Sequence, residues 1–348
     1  MSESAGWELP ASYGHPATEH LAVRACAGLF DLGDTGVVEL AGADALAAVQ
    51  AMTSNDADQI RTGQWQHSAL TTRDGTFLDD VLVYRLAASH FLLAVHAANL
   101  KKDVAWILDR AKLAGDVAVV DTSSRYAVAS LQGPASREVL QALTGADLAT
   151  LDEFSFTYGE VAGARATISR TVRSGEDGFD VLVPPQSALR VWQAILQEGA
   201  DAGVVPAGLR ALDTLRLEAA WRLYGADIDE TTSVLEAGLE SIVAWDKGDF
   251  NGRAALAEQK AGGLSRRLVG FEMVDDAVAR QGCEAYVGGV KAGIVTTGAE
   301  TPHVRKAIGL AYLTIAHTEP GSAFEVDVHG RHAKARVVAL PFYKRPKR

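Results

Sequence analysis

Two adjacent carboxylates, Asp79 and Asp80, stand inside the run Gly75-Thr-Phe-Leu-Asp79-Asp80-Val-Leu-Val-Tyr84, which otherwise reads as a buried β-strand. Taking a carboxylate out of water costs on the order of several kcal/mol unless it is paired or hydrogen-bonded, so folding alone rarely selects this arrangement. Strand side chains alternate faces, so the two must point to opposite sides of their sheet. One can face a pocket while the other pairs with a loop or a neighbouring strand. A pocket carboxylate can hydrogen-bond an amine, orient its lone pair and stabilise a developing cation. The plain alternative is two strand-end carboxylates satisfied by backbone amides.

The elements that must position this pair follow an irregular α+β order, without the steady βαβα rhythm of a doubly wound sheet. Phe77–Leu86 and His90–Ala97, separated by Ala-Ala-Ser, read as a hairpin. Leu100, Val104, Ile107, Leu108 and Ala111 recur at helical spacing and predict a helix over about 100–114. A strand over Tyr126–Leu131 ends in Gln132-Gly133-Pro134, and Ser136 opens a helix through Leu143. Strands flank a turn at Ser174-Gly175-Glu176-Asp177-Gly178. Helices follow near Ala188–Gly199 and over about Leu209–Leu223, the latter with a stripe of Leu212, Leu215, Ala219 and Leu223. From near Lys260 the chain turns strand-rich and Gly-punctuated: Leu268–Met273, Glu284–Val287, Ile294–Thr297, Ala307–Tyr312, Phe324–Val328 and His332–Val338. These predict a separate antiparallel β-domain of about 80 residues.

With 348 residues, two or three domains are expected. Apolar residues make up 48% and charged residues 22%, as in a soluble globular protein. The formal net charge of −11 argues against nucleic acid as a partner. The closing Lys344-Arg345-Pro346-Lys347-Arg348 reads as a solvated tail. No signal peptide and no membrane span are expected. Cys26 and Cys283 lie far apart and read as reduced thiols, which fits a cytoplasmic protein. No G-x-x-x-x-G-K-[ST], G-x-G-x-x-G or G-x-S-x-G stretch is present, and the cysteines lack zinc spacing, so no metal is expected. What is left is a carboxylate-centred site.

An ordered series of blocks carries a resemblance across nearly the whole chain. It runs through Gly6-Trp7-Glu8-Leu9-Pro10, Ala27-Gly28-Leu29-Phe30-Asp31, Thr53-Ser54-Asn55-Asp56, Leu78-Asp79-Asp80, Ala97-Ala98-Asn99 with Lys102-Asp103, and Leu131-Gln132-Gly133-Pro134. Gly175-Glu176-Asp177-Gly178, Asp213-Thr-Leu-Arg216-Leu-Glu218-Ala219, Leu223-Tyr224-Gly225-Ala-Asp227, Phe250-Asn-Gly252-Arg253 and Pro341-Phe342-Tyr343 complete it. The series resembles the aminomethyltransferase family, the T-protein of the glycine cleavage system and its relatives. The resemblance implies an α+β fold of three domains arranged as a clover around a central folate channel, the last a C-terminal antiparallel β-barrel. Expected segments are 1–52 with 152–245, 53–151 with 246–262, and 263–348. The activity implied is transfer of an aminomethyl group from the lipoyl arm of H-protein to tetrahydrofolate, giving 5,10-methylenetetrahydrofolate and ammonia. Tetrahydrofolate would be the co-substrate, lipoylated H-protein the partner, and the protein a monomer. Asp80 matches the family's carboxylate beside the reactive folate nitrogens, and Tyr224 matches a position near the folate.

The chain departs from the family pattern around that same site. The family's G-Y-T-G-E-x-G-x-E, whose last glutamate grips the pterin, is here Arg173-Ser174-Gly175-Glu176-Asp177-Gly178-Phe179-Asp180 in its matching part. Arg173 replaces the tyrosine, and Asp180 withdraws the carboxylate by roughly 1 Å, a displacement that can cost on the order of a hundredfold in rate. A pterin-contacting arginine is replaced by Leu212. Arg210 lies two residues away, about 200° around a helix, and cannot substitute. A family asparagine is His96, a family tyrosine is His67, and the F-D-V-S-H-M motif becomes Phe30-Asp31-Leu32-Gly33-Asp34-Thr35. Asp180, Tyr224, His96, His67, Arg173 and Leu212 are therefore the expected folate-binding positions around a catalytic Asp80. A retuned pocket leaves two other readings open: a tetrahydrofolate-dependent demethylase of a small methylated donor, or a non-catalytic folate-binding paralogue. The K-G-C-Y-x-G-Q-E motif of non-catalytic relatives is absent.

Overall fold

The computed structural model describes residues 1–4 and 6–346, so the last two residues of the basic tail lie outside the described residues. The chain forms two compact units, each assembled from separated segments. The first comprises Met1–Thr71, Leu78–Leu212 and Ile242–Asn251; the second comprises Thr72–Phe77, Asp213–Ser241 and Gly252–Arg348.

The first unit holds two sheets. In one, five strands run in the order Gln64–Thr71, Phe77–Ala87, His90–His96, Thr35–Ala41, Ala118–Asp121. Its core packs Val83, Phe91, Leu93 and Ile107. The hairpin expected around Ala-Ala-Ser is its centre, with Leu82 opposite Ala94 and Val83 opposite Leu93. Continuing that register places Asp80 opposite His96. The helix Leu100–Ala111 covers one face of this sheet and buries Ile107 and Ala111. The other sheet has six strands in the order Phe156–Val161, Ala164–Thr171, Gly178–Val183, Ala127–Gln132, Gly28–Asp31, Val205–Pro206. Its registers put Asp180 directly between Ser169 and Ser130.

Two helix boundaries differ from the sequence reading for visible reasons. The helix expected from Ala188 begins at Pro185, since proline's fixed φ suits the first helical turn. The helix expected to run to Leu223 ends at Glu218, because Ala220 takes a left-handed φ of 57°. Leu223 therefore leaves the apolar stripe and stands 38% exposed.

In the second unit six strands close into the expected barrel. They run in the order Arg266–Met273, Lys306–Thr314, Val290–Thr301, Glu284–Val287, Ala323–Val328, Arg331–Val338. Phe271, Leu313, Phe324 and Val326 fill its interior. Among the described residues, no helix is long and apolar enough to cross a membrane.

Candidate functional site

The strand pair Asp79–Asp80 splits its faces as the alternation requires. Asp79 is fully buried. Its Oδ1 accepts hydrogen bonds from His96 Nδ1 (2.8 Å), Asn99 Nδ2 (2.9 Å) and the Asp80 backbone N–H (3.1 Å). Its Oδ2 accepts from the His96 backbone N–H (3.0 Å). Asp79 is thus an anchor that fixes the imidazole of His96 and the start of the following helix. Asp103, on that helix, is buried beside it. Burial, then the neighbouring Asp79 charge, pushes the Asp103 carboxyl up to about 9, so it stays protonated at neutral pH.

Asp80, 7% exposed, faces the other way. Its Oδ2 lies 3.2 Å from His67 Nε2, and its Oδ1 is 3.5 Å from His96 Nδ1. Burial by itself would raise its pKa, but His96 and His67 outweigh that and hold Asp80 below the usual carboxylate range. It is therefore ionised at neutral pH. Conversely, burial opposes the charge on His96, yet Asp80 and Asp79 push its imidazolium up to about 9. Oδ1 of Asp80 accepts no hydrogen bond among the described residues. A buried ionised oxygen left in that state is a strong acceptor for a ligand N–H or a developing cation. Asp79, Asp80 and His96 each place one possible ligand atom within 4.8 Å of the others.

A second polar cluster lies in the same unit, on the six-stranded sheet. The cross-strand row Ser169–Asp180–Ser130 is buried throughout. Asp180 Oδ1 accepts from Ser130 Oγ (2.6 Å) and Thr171 Oγ1 (3.3 Å), and Oδ2 accepts from Arg173 Nε (2.8 Å). Gln132 Nε2 donates to both hydroxyl oxygens, at 3.0 and 2.9 Å, which turns their protons toward the carboxylate. Gly178 makes room for this: a Cβ there would stand 2.5 Å from the Gln132 amide. Tyr84, four residues after Asp80 and on its face of the strand, bridges the two sheets. Its hydroxyl lies 3.1 Å from Ser169 Oγ, and burial followed by the Asp180 charge pushes it up to about 12. Arg173 stands within electrostatic reach of Tyr84 and Asp80. The turn carrying Arg173 is pinned from behind, where Arg24 Nη1 donates to the Ser174 carbonyl (2.7 Å) and to Glu176 Oε1 (3.1 Å), both side chains being almost fully buried.

Of the positions expected from sequence, Asp80, His67 and His96 come together on one sheet, and Arg173 with Asp180 on the other, with Tyr84 between them. Leu212 is half-buried at the end of the first unit's second segment and hydrogen-bonds through its backbone to Gly208. Tyr224 belongs to the second unit, where it bridges to Ile228. Sequence reasoning missed Tyr84, Ser130, Thr171 and the role of Asp103. The last left a signal, since Asp103 falls four residues before Ile107, within the apolar stripe.

Comparisons with known proteins identify the family. The family model described as GCVT N-terminal domain matches residues 1–247, and that of the glycine cleavage T-protein C-terminal barrel domain matches residues 266–344. The chain is 44% identical over 344 residues to an aminomethyltransferase of Anoxybacillus flavithermus, covering 98% of this chain and 94% of that protein. It is 43% identical over 348 residues to the aminomethyltransferase of Moorella thermoacetica, covering 100% and 95%. The crystal structure of glycine cleavage system aminomethyltransferase T from Bartonella henselae superposes with a TM-score of 0.92 at 29% identity, covering 99% of this chain and 94% of that one. The chain therefore belongs to the aminomethyltransferase family of glycine cleavage T-proteins, and is a transferase of that family.

Proposed function

We propose that the protein transfers an aminomethyl group from the lipoyl arm of H-protein to tetrahydrofolate, with release of ammonia. The observation that carries the reading is Asp80: a buried, ionised carboxylate held by two imidazoles with one oxygen uncommitted. The donor set fits a reduced folate, whose ring N–H groups need an acceptor and whose carbonyl needs a donor. Bound there, tetrahydrofolate supplies the nucleophilic amines that take up the carbon. Asp80 would accept a hydrogen bond from the folate amine, aim its lone pair, and stabilise the cationic carbon electrostatically. His96, charged and fixed by Asp79, holds a proton within the site for the departing amine. The two imidazoles beside Asp80 also favour a second reading, in which a small methylated donor replaces the aminomethyl-lipoyl arm.

The test is anaerobic calorimetry with tetrahydrofolate, followed by an assay for 5,10-methylenetetrahydrofolate with aminomethyl-lipoyl H-protein. Binding at a 1:1 ratio and turnover are expected. Binding without turnover would move the proposal to the methylated donor, and no binding at millimolar folate would refute both.

A further inference from the structure

The carboxylate at position 180 is used up by the protein itself. Ser130, Thr171 and Arg173 donate to its two oxygens, and the row is buried. In the family resemblance this position is a glutamate that grips the pterin ring. A carboxylate already accepting three hydrogen bonds, one from a guanidinium, is a weak partner for further N–H groups. Arg173 is in the opposite condition. Only its Nε is engaged; its two terminal amino groups hydrogen-bond nothing among the described residues. Its side chain is still 26% exposed. The first unit thus carries, within electrostatic reach of each other, an Asp80 Oδ1 that accepts no hydrogen bond and the terminal donors of Arg173. A reduced pterin carries the complementary pair side by side, the C4 carbonyl next to the N5–H. The same resemblance places an arginine where this chain has Leu212, so a cation lost at 212 is matched by one gained at 173.

We propose that Arg173 reads the pterin's C4 carbonyl in this protein, and that Asp180 is a positioning residue that aims the guanidinium and does not itself bind the ligand. The proposal rests on the reading that the site takes a reduced folate. The hydrogen-bond polarity at this end of the pocket is then reversed: relatives with a free glutamate offer an acceptor, and this chain offers donors.

The experiment compares tetrahydrofolate, with its C4 carbonyl and N3–H, and tetrahydroaminopterin, with a C4 amino group and no proton on N3, by calorimetry on the purified full chain. Wild type should prefer the carbonyl form by about ten- to a hundredfold, the usual value of one charge-assisted hydrogen bond. Arg173→Gln should bring the two affinities within about threefold of each other, while Arg173→Lys, which keeps a charged donor, should retain part of the preference. Asp180→Asn should weaken the preference only while Arg173 is present, so the double variant should match Arg173→Gln alone. An undiminished preference in both Arg173 variants overturns the assignment of Arg173. Additive losses in the double variant overturn the positioning role of Asp180 and make it a direct ligand contact. Failure of wild type to bind either compound refutes the folate reading itself, and is separable from both.

Discussion

Replacing Asp79 by asparagine keeps the shape of the anchor and removes its charge. The four hydrogen bonds it accepts decide the outcome. If the new amide nitrogen took the place of Oδ1, it would face three donors, from His96, Asn99 and the Asp80 backbone. It must therefore take the place of Oδ2, where it faces the His96 backbone N–H alone. Stranding that buried donor costs about 1–3 kcal/mol, and losing the charge-assisted bond from the imidazolium costs about 1.5–3 kcal/mol more. The expected destabilisation is about 3–5 kcal/mol, the range for breaking a buried charge pair. Urea unfolding of wild type and variant at pH 7 measures it. The same variant should lower the His96 pKa from about 9, since Asp79 is one of the two groups that raise it, and proton NMR of the imidazole reads that shift. A loss under about 0.5 kcal/mol together with an unmoved His96 titration would refute the anchoring role.

Asp80→Asn should lower kcat by about a hundred- to a thousandfold, as steady-state kinetics would show. The raised His96 pKa gives stability that is complete below the unfolded value near 6.5 and is lost as pH rises through about 9. Asp103 likewise holds a proton that the unfolded chain releases, so both make stability fall toward pH 9; urea midpoints between pH 6 and 9 should show the fall, and His96→Asn should lessen it, leaving the part due to Asp103. Glu176→Gln removes the carboxylate that accepts from buried Arg24 and should cost about 1.5–3 kcal/mol by the same unfolding assay.

Much of the fold was legible because its signals are local. The hairpin announced itself by two apolar runs and a short polar break, and the barrel strands by runs between glycines. The strand carboxylates were legible for a physical reason: burial makes a charge conspicuous in an apolar run, and alternation forces Asp79 and Asp80 apart. Substituted positions His67, His96, Arg173 and Asp180 were also visible, but each as a separate departure. That Arg173 and Asp180 form one ion pair is a fact of strand register and turn geometry, seven residues apart around a loop. Ser130, Thr171 and Tyr84 were missed because single hydroxyls in strands are common, and only cross-strand pairing brings them onto one carboxylate. The end of the helix at Glu218 was missed because alanine carries no hint of a left-handed turn.

The segmentation of the two compact units sets conditions on synthesis. The first unit is not chemically complete at residue 212, because its last piece, Ile242–Asn251, follows a stretch belonging to the second. That piece is tied in by buried polar bonds: the Ile242 carbonyl accepts from Ser54 Oγ, and the Lys247 ammonium is cradled by the carbonyls of Gln50, Thr53 and Asn55. A chain leaving the ribosome at roughly 5–20 residues per second must hold two unfinished sheets for several seconds before Lys247 arrives. The second unit waits in reverse, since its segment Thr72–Phe77 is made early and pairs with Thr232 and Ser233 only much later. A genetic cut between the units would therefore yield no intact half, and the gene must be expressed, permuted or split with all three pieces of each unit accounted for.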